Sequence, residues 1–240
     1  MTTSSPLSSL PQPQLLALLK AAAQEQERRR TENALAYYRP YPKQEQFHAA
    51  GAIYRERLFM AGNQLGKTLG GGAEAAYHAT GLYPAGWKGR VFPKPTIGWA
   101  AGVTGESTRD TVQRILLGRP GRFGTGSIPK STLIDTAAAR GVADLQDTIR
   151  VAHVSGGESL IMLKSYEKGR EKWQGETLDV VWFDEEPPED IYNEGLTRTN
   201  ATGGMAFMTF TPLQGMSNVV RLFYPRPTTG DRHVTQMTID

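Results

Sequence analysis

Leu15, Leu18, Leu19, Ala22 and Ala23 recur at helical spacing, and no Gly or Pro interrupts residues 14–38, so the pattern predicts one long helix there. That helix is expected to pack on the domain that follows. Its charged run EQERRR, with Arg28, Arg29 and Arg30, offers DNA or a partner chain as the alternative. Ahead of it, MTTSSPLSSLPQP has nothing periodic to bury and reads as a disordered leader over 1–13. RPYPK at 39–43 breaks the helix, because each proline disfavours helix in the residue before it.

A second helix is expected over 43–57. Then come a short apolar run at 58–61, a glycine-containing loop at 62–66 and a helix over 67–79. Residues 81–95 read as a long basic loop. A buried strand over 96–103 and a helix over 106–117 follow, then a glycine-rich loop at 118–130. The runs 149–154 and 159–163 flank SGGE as a hairpin would, and 178–183 and 205–210 are further apolar strands. Strands alternating with helices imply an α/β layer with a mostly parallel sheet. No internal repeat is visible.

Composition narrows the chemistry. The 240 residues, 39% hydrophobic and 21% charged, are those of a folded chain of one or two domains, and a net charge of +3 does not choose a partner. The absence of cysteine excludes disulfides, thiolate zinc sites, iron-sulfur clusters and a cysteine nucleophile. His48, His78, His153 and His233 are too scattered for HExxH spacing and read as structural or surface residues. No apolar run reaches the ~18 residues of a membrane span, and the leucines at 15–19 lack a basic segment ahead of them and run into Lys20, so the chain reads as soluble and intracellular.

Ala61, Gly62, Asn63, Gln64, Leu65, Gly66, Lys67 and Thr68 have the character of a phosphate-binding loop. Small residues let main-chain N–H groups converge on phosphate oxygens. Lys67 would neutralise the β and γ phosphates, and the Thr68 hydroxyl would ligate Mg²⁺ at a helix N-terminus. Ala61 stands where the motif GxxxxGK[ST] has its first glycine, and an ordinary tight turn is the competing reading. In LDVVWFDEE an apolar strand ends in acids, at the end of the sheet where α/β proteins bind ligands. Asp184 would hold Mg²⁺ through water, and Glu185 would orient and deprotonate the attacking water, with Glu186 as the fallback base.

AGNQLGKT, VVWFDEE, TFTPLQG and the upstream YPKQEQF, in this order over residues 39–240, resemble the large subunits of tailed-bacteriophage terminases. The resemblance implies a P-loop NTPase of the ASCE (RecA-like) type, with a mostly parallel central sheet flanked by helices and an N-terminal helical extension. It implies ATP and Mg²⁺ as cofactors and a motor that moves double-stranded DNA into a procapsid. The implied partners are DNA, a small terminase subunit, a portal protein and copies of the chain in a ring, in the cytoplasm of the infected bacterium.

Residue by residue, the resemblance implies that Gln44 reads adenine, with Gln46 the second choice. It implies that Thr209, Thr211 and Pro212 sense the γ-phosphate and couple hydrolysis to DNA movement. Many members of the family carry an arginine where Asn63 stands, which points to an arginine from a neighbouring subunit, Arg170 first and Arg198 second. The family's nuclease domain is absent from these residues, which leave the ATPase half. Lys88, Arg90 and Lys94, with Arg119, Arg122 and Lys130, are the expected DNA-contacting cations. A P-loop helicase and a nucleotide-dependent DNA-binding module with little turnover are the rival readings.

Overall fold

In the computed structural model, which describes residues 11–211, 217–224 and 230–237, eight strands form one sheet in the order β3-β4-β5-β2-β6-β7-β1-β8. The strands are β1 (Glu56–Ala61), β2 (Ile97–Gly102), β3 (Leu133–Ala138), β4 (Gln146–Ala152), β5 (Glu158–Ser165), β6 (Val180–Asp184), β7 (Met205–Phe210) and β8 (Arg232–Met237). From β5 to β8 across the sheet every pairing is parallel, and β3 and β4 add an antiparallel flap. The strand carrying Thr209 thus lies between the strand entering the phosphate loop and the strand ending in Asp184. This is the mostly parallel α/β layer expected for the ASCE class.

Alternation along the central strands divides the core into two layers. Phe59, Ala100, Trp182 and Phe207 face α3 (Lys67–Thr80), whereas Leu58, Trp99, Val181, Phe183 and Met208 face Trp173, α6 (Glu189–Arg198) and α7 (Asn218–Arg221). Glycine lets α3 lie against the sheet. A Cβ on Gly71 would come within 2.6 Å of Trp182 Nε1, and one on Gly72 would collide with Ile115 of the helix packed beside α3. Each helical glycine sacrifices about 1 kcal/mol of helix propensity, offset by this close approach.

Several boundaries differ from expectation. The first helix, α1, spans Gln12–Glu32. Asn33 ends it, accepting a side-chain hydrogen bond from Ala36 N as a 3-10 turn begins at Ala34–Tyr37. Residues 1–10 of the expected leader lie outside the described residues, and Gln12 and Pro13 are already helical. Nor does α1 pack on the domain: none of its residues is buried, and Leu19 is 59% exposed. Arg28 and Arg29 bridge Glu25 and Glu32 within the helix, while Lys130 ties Glu32 to the domain at 2.7 Å. The second helix, α2, is Pro42–Ala50, shorter than expected because Arg57 belongs to β1. The expected helix at 106–117 comprises α4 (Gly105–Thr108) and α5 (Arg114–Leu117), with a π-helical turn, Arg109–Gln113, between them. No described helix is long and apolar enough to cross a membrane.

A buried charge ties α2 and α3 to β1. Glu74 and Arg57 are both fully buried and bonded in a fork. Arg57 also donates to Phe47 O at 2.8 Å and lies over the Phe47 ring. His48 Nδ1 lies 2.7 Å from Glu74, and His78 Nε2 lies 3.3 Å from it. Burial alone would raise the Glu74 carboxyl, but Arg57 and the bonds from His48 and His78 outweigh it and hold it well below its usual 4.5. Burial lowers His78 from 6.5 against the pull of Glu74.

Removing the charge while keeping the shape, as in Glu74→Gln, leaves Arg57 buried without its counterion and should lower unfolding free energy by about 3–5 kcal/mol. A carboxyl held low gives stability that is lost as pH falls through its native pKa. A depressed imidazole gives stability that declines below pH 6.5. The two slopes have one sign, so the native urea midpoint should drop steadily from pH 7 to pH 4. The same titration on Glu74→Gln should be flatter in its acid part.

Candidate active site

The apolar run of β1 ends at Ala61, and the chain turns through residues 62–66 before α3 begins at Lys67. Gln64 and Gly66 both take left-handed backbone, at φ 63° and 78°, which only Gly adopts without penalty. A Cβ at Gly66 would also stand 3.1 Å from Gln44 Nε2. Lys67 is buried, and its Nζ lies 3.4 Å from Glu185 Oε1. The Thr68 hydroxyl donates to Asp184 Oδ1 at 3.0 Å.

Asp184 ends β6 in register with Thr209 of β7, and Thr209 Oγ1 donates to the same Oδ1 at 2.8 Å. Trp182 Nε1 donates to Thr209 Oγ1 at 2.8 Å, completing a relay from the core to the carboxylate. Burial raises the Asp184 carboxyl to about 6 against these hydroxyl bonds. A hydroxyl and a carboxylate oxygen converging beside a phosphate loop are the hard oxygen donors that a small divalent cation takes. No cluster of three His, Asp or Glu able to hold a metal occurs among the described residues, so further ligands there would be phosphate oxygens and water.

Glu185 and Glu186 part ways. Glu185 has φ 64°, its N–H donates to Thr209 O at 2.9 Å, and Thr211 N donates to its carboxylate at 3.3 Å. Glu186 accepts the Ser217 hydroxyl at the start of α7, so it is Glu185 that faces Lys67. Thr211 Oγ1 donates to Asn63 Oδ1 at 3.1 Å, joining the end of β7 to the phosphate loop. Pro212 lies outside the described residues.

The remaining expected residues are placed as follows. Gln44 is 1% exposed. Its Oε1 accepts from Tyr41 N and its Nε2 donates to Gly66 O, both at 2.7 Å, so the amide braces the loop. These two bonds use one N–H and one lone pair of the amide and leave one of each. Gln46 faces the other way, into a cleft of about 570 Å³ with Tyr38, Tyr77 and Trp87. Arg170 and Arg198 both bind Glu194, at 3.0 Å from Arg170 Nε and 2.9 Å from Arg198 Nε, so neither guanidinium stands free in its own chain. In the basic loops Lys88, Lys94, Arg119 and Arg122 are exposed, Arg90 is half-buried over the Phe92 ring, and Lys130 is paired with Glu32. Sequence patterns gave no signal for Tyr166, whose hydroxyl reaches the main chain of the acidic pair.

Comparison with known proteins identifies the family. Residues 58–240 match the family described as terminase large subunit, T4likevirus-type, N-terminal. The chain belongs to the terminase large-subunit family. It is 44% identical over 253 residues to the terminase large subunit of Salmonella phage P22, covering 97% of this chain and 50% of that protein. It is 28% identical over 256 residues to that of Enterobacteria phage LP7, covering 97% and 51%. This terminase chain therefore spans about half the length of these curated relatives. Its fold is similar to that of the Thermus phage P74-26 large terminase ATPase domain, with TM-score 0.57 and 19% identity over 85% of this chain and 82% of that one. It is also similar to the large terminase of a thermophilic bacteriophage in complex with ADP, with TM-score 0.51 and 14% identity over 83% and 45%.

The bracing of the loop by Gln44 has a measurable consequence without nucleotide. Gln44→Ala in this terminase chain removes the side chain that holds Gly66 O, which keeps only its bond from Gly70 N, and takes the acceptor from the Tyr41 N–H at the start of α2, which should cost about 1–3 kcal/mol in urea unfolding. An unchanged midpoint would show that the loop holds itself.

Proposed function

We propose that this chain is the ATP-hydrolysing motor domain of a phage terminase large subunit, driving double-stranded DNA into a procapsid. The observation that carries the proposal is the meeting of Lys67, Thr68, Asp184 and Glu185 at one mouth of the sheet, with Lys67 Nζ 3.4 Å from Glu185. Phosphates enter against the main-chain N–H groups of residues 62–67 at the start of α3, where the helix dipole favours anions. Lys67 then exchanges its ion pair with Glu185 for the β and γ phosphates, which frees the carboxylate to act as a base.

Thr68 and Asp184 would hold Mg²⁺, which supplies charge neutralisation on the phosphates when bound. A water in line with the β–γ bridge attacks the γ-phosphorus as its proton passes to Glu185. The P–O bond to the β-phosphate breaks, giving ADP and phosphate. Thr209 and Thr211 touch Asp184, Glu185 and Asn63, so loss of the γ-phosphate changes the surroundings of the β7 exit, the route we assign to coupling.

Gln44 is assigned to the base through its remaining donor and acceptor, Arg170 or Arg198 to a neighbouring copy's phosphate, and the small subunit and portal to the assembled ring in the infected host. Lys67→Ala should abolish turnover and weaken ATP binding. Glu185→Gln should bind ATP and leave it uncleaved, with kcat down about 10²–10⁴-fold. Native turnover by Glu185→Gln alongside a dead Glu186→Gln would move the base by one residue.

The exposed loop cations supply sequence-independent phosphate contacts suited to a packaging motor. Neutralising Lys88 and Lys94 together should weaken DNA binding and flatten the slope of log affinity against log salt, by up to about 0.9 for each phosphate that is no longer neutralised. Measured across salt concentrations, an unaltered slope at unaltered affinity places the DNA contact elsewhere.

A further inference from the structure

Glu185 needs help to keep its conformation. At φ 64° it is a non-glycine residue in left-handed backbone, which costs roughly 1–2 kcal/mol and persists only where neighbours enforce it. An ordinary turn after β6 would do so by donating the N–H of residues 187 and 188 to the carbonyls of Asp184 and Glu185. Both residues are proline and have no N–H to give.

A side chain stands where those donors would be. The Tyr166 hydroxyl lies 3.1 Å from Asp184 O and 3.0 Å from Glu185 O, sharing one proton between two carbonyls. Its ring is buried in the layer behind β6, against Trp173 and Phe183, and it directly follows β5. A carbonyl oxygen has no hydrogen to give, so in both contacts the hydroxyl is the donor. From the opposite side the Glu185 N–H is fixed to Thr209 O. The peptide that aims the carboxylate is therefore clamped from both neighbouring segments.

We propose that Tyr166 is a positioning residue for hydrolysis, its hydroxyl replacing the turn donors that Pro187 and Pro188 lack and so holding the Glu185 carboxylate toward Lys67. The proposal rests on the reading of Glu185 as the base. Tyr166→Phe keeps the packed ring and removes only the donor, so ATP turnover by the full chain, expressed per folded molecule, should fall about tenfold in kcat with KM for ATP unchanged.

In a Glu185→Gln background the same change should add no further loss, because there is no base left to aim. Trp173→Phe, which loosens the packing around the ring and keeps the hydroxyl, should hold kcat within about twofold. Native kcat in Tyr166→Phe, a raised KM with native kcat, an equal loss in the Glu185→Gln background, or an equal loss in Trp173→Phe would each overturn the proposal. A native chain that binds ATP and never hydrolyses it would overturn the functional reading and this proposal together. Native hydrolysis with an indifferent Tyr166→Phe would remove this one alone.

Discussion

One carboxylate oxygen, Asp184 Oδ1, receives hydroxyls from the helix after β1 and from β7, and so joins three neighbouring strand ends at one point. This is possible only because β7 runs between β1 and β6 in parallel, bringing Thr209 level with both Phe59 and Asp184. Strand order thus does the assembling. Residues 68, 184 and 209 are far apart along the chain, and the sheet makes them adjacent without any of them choosing its place. Burial opposes the charge on that carboxylate, and the two hydroxyls offset part of the opposition. On the proposed reading, a divalent cation among phosphates would offset the rest.

The parts of this arrangement legible in the sequence were those encoded within a few residues. AGNQLGKT and VVWFDEE are short, spacing-bound patterns beside apolar strands, and the structure brings them to one mouth. Contacts between distant residues left no such trace. Gln44 bonds a carbonyl 22 residues away, so its packing role could not be read locally. Arg57 stood inside a stretch that looked helical, and its burial against Glu74 exists only once β1 and α3 are packed. Tyr166 belongs to no motif at all.

Periodicity also reports a face without reporting what covers it. The leucines of α1 have the spacing of a packed helix, yet the helix stands off the domain and is tethered near Glu32. Strands β3 and β8 were missed for the opposite reason. LIDTAA and RHVTQM at the sheet edges bury few side chains, so neither carries the alternation that marks a strand.

The glycines of α3 bear on stiffness. Between most helices and the sheets beneath them lies a layer of side chains that can change rotamer and absorb small displacements. At Gly71 that layer is missing, and the helix backbone rides directly on the Trp182 indole and the Thr209 methyl. Protein interiors compress very little, so a shift of the helix that carries Lys67 and Thr68 has no cushion in which to dissipate. On the proposed motor reading it would pass into the tip of β7, which at that contact is less a neighbour of the phosphate loop than the far end of one lever.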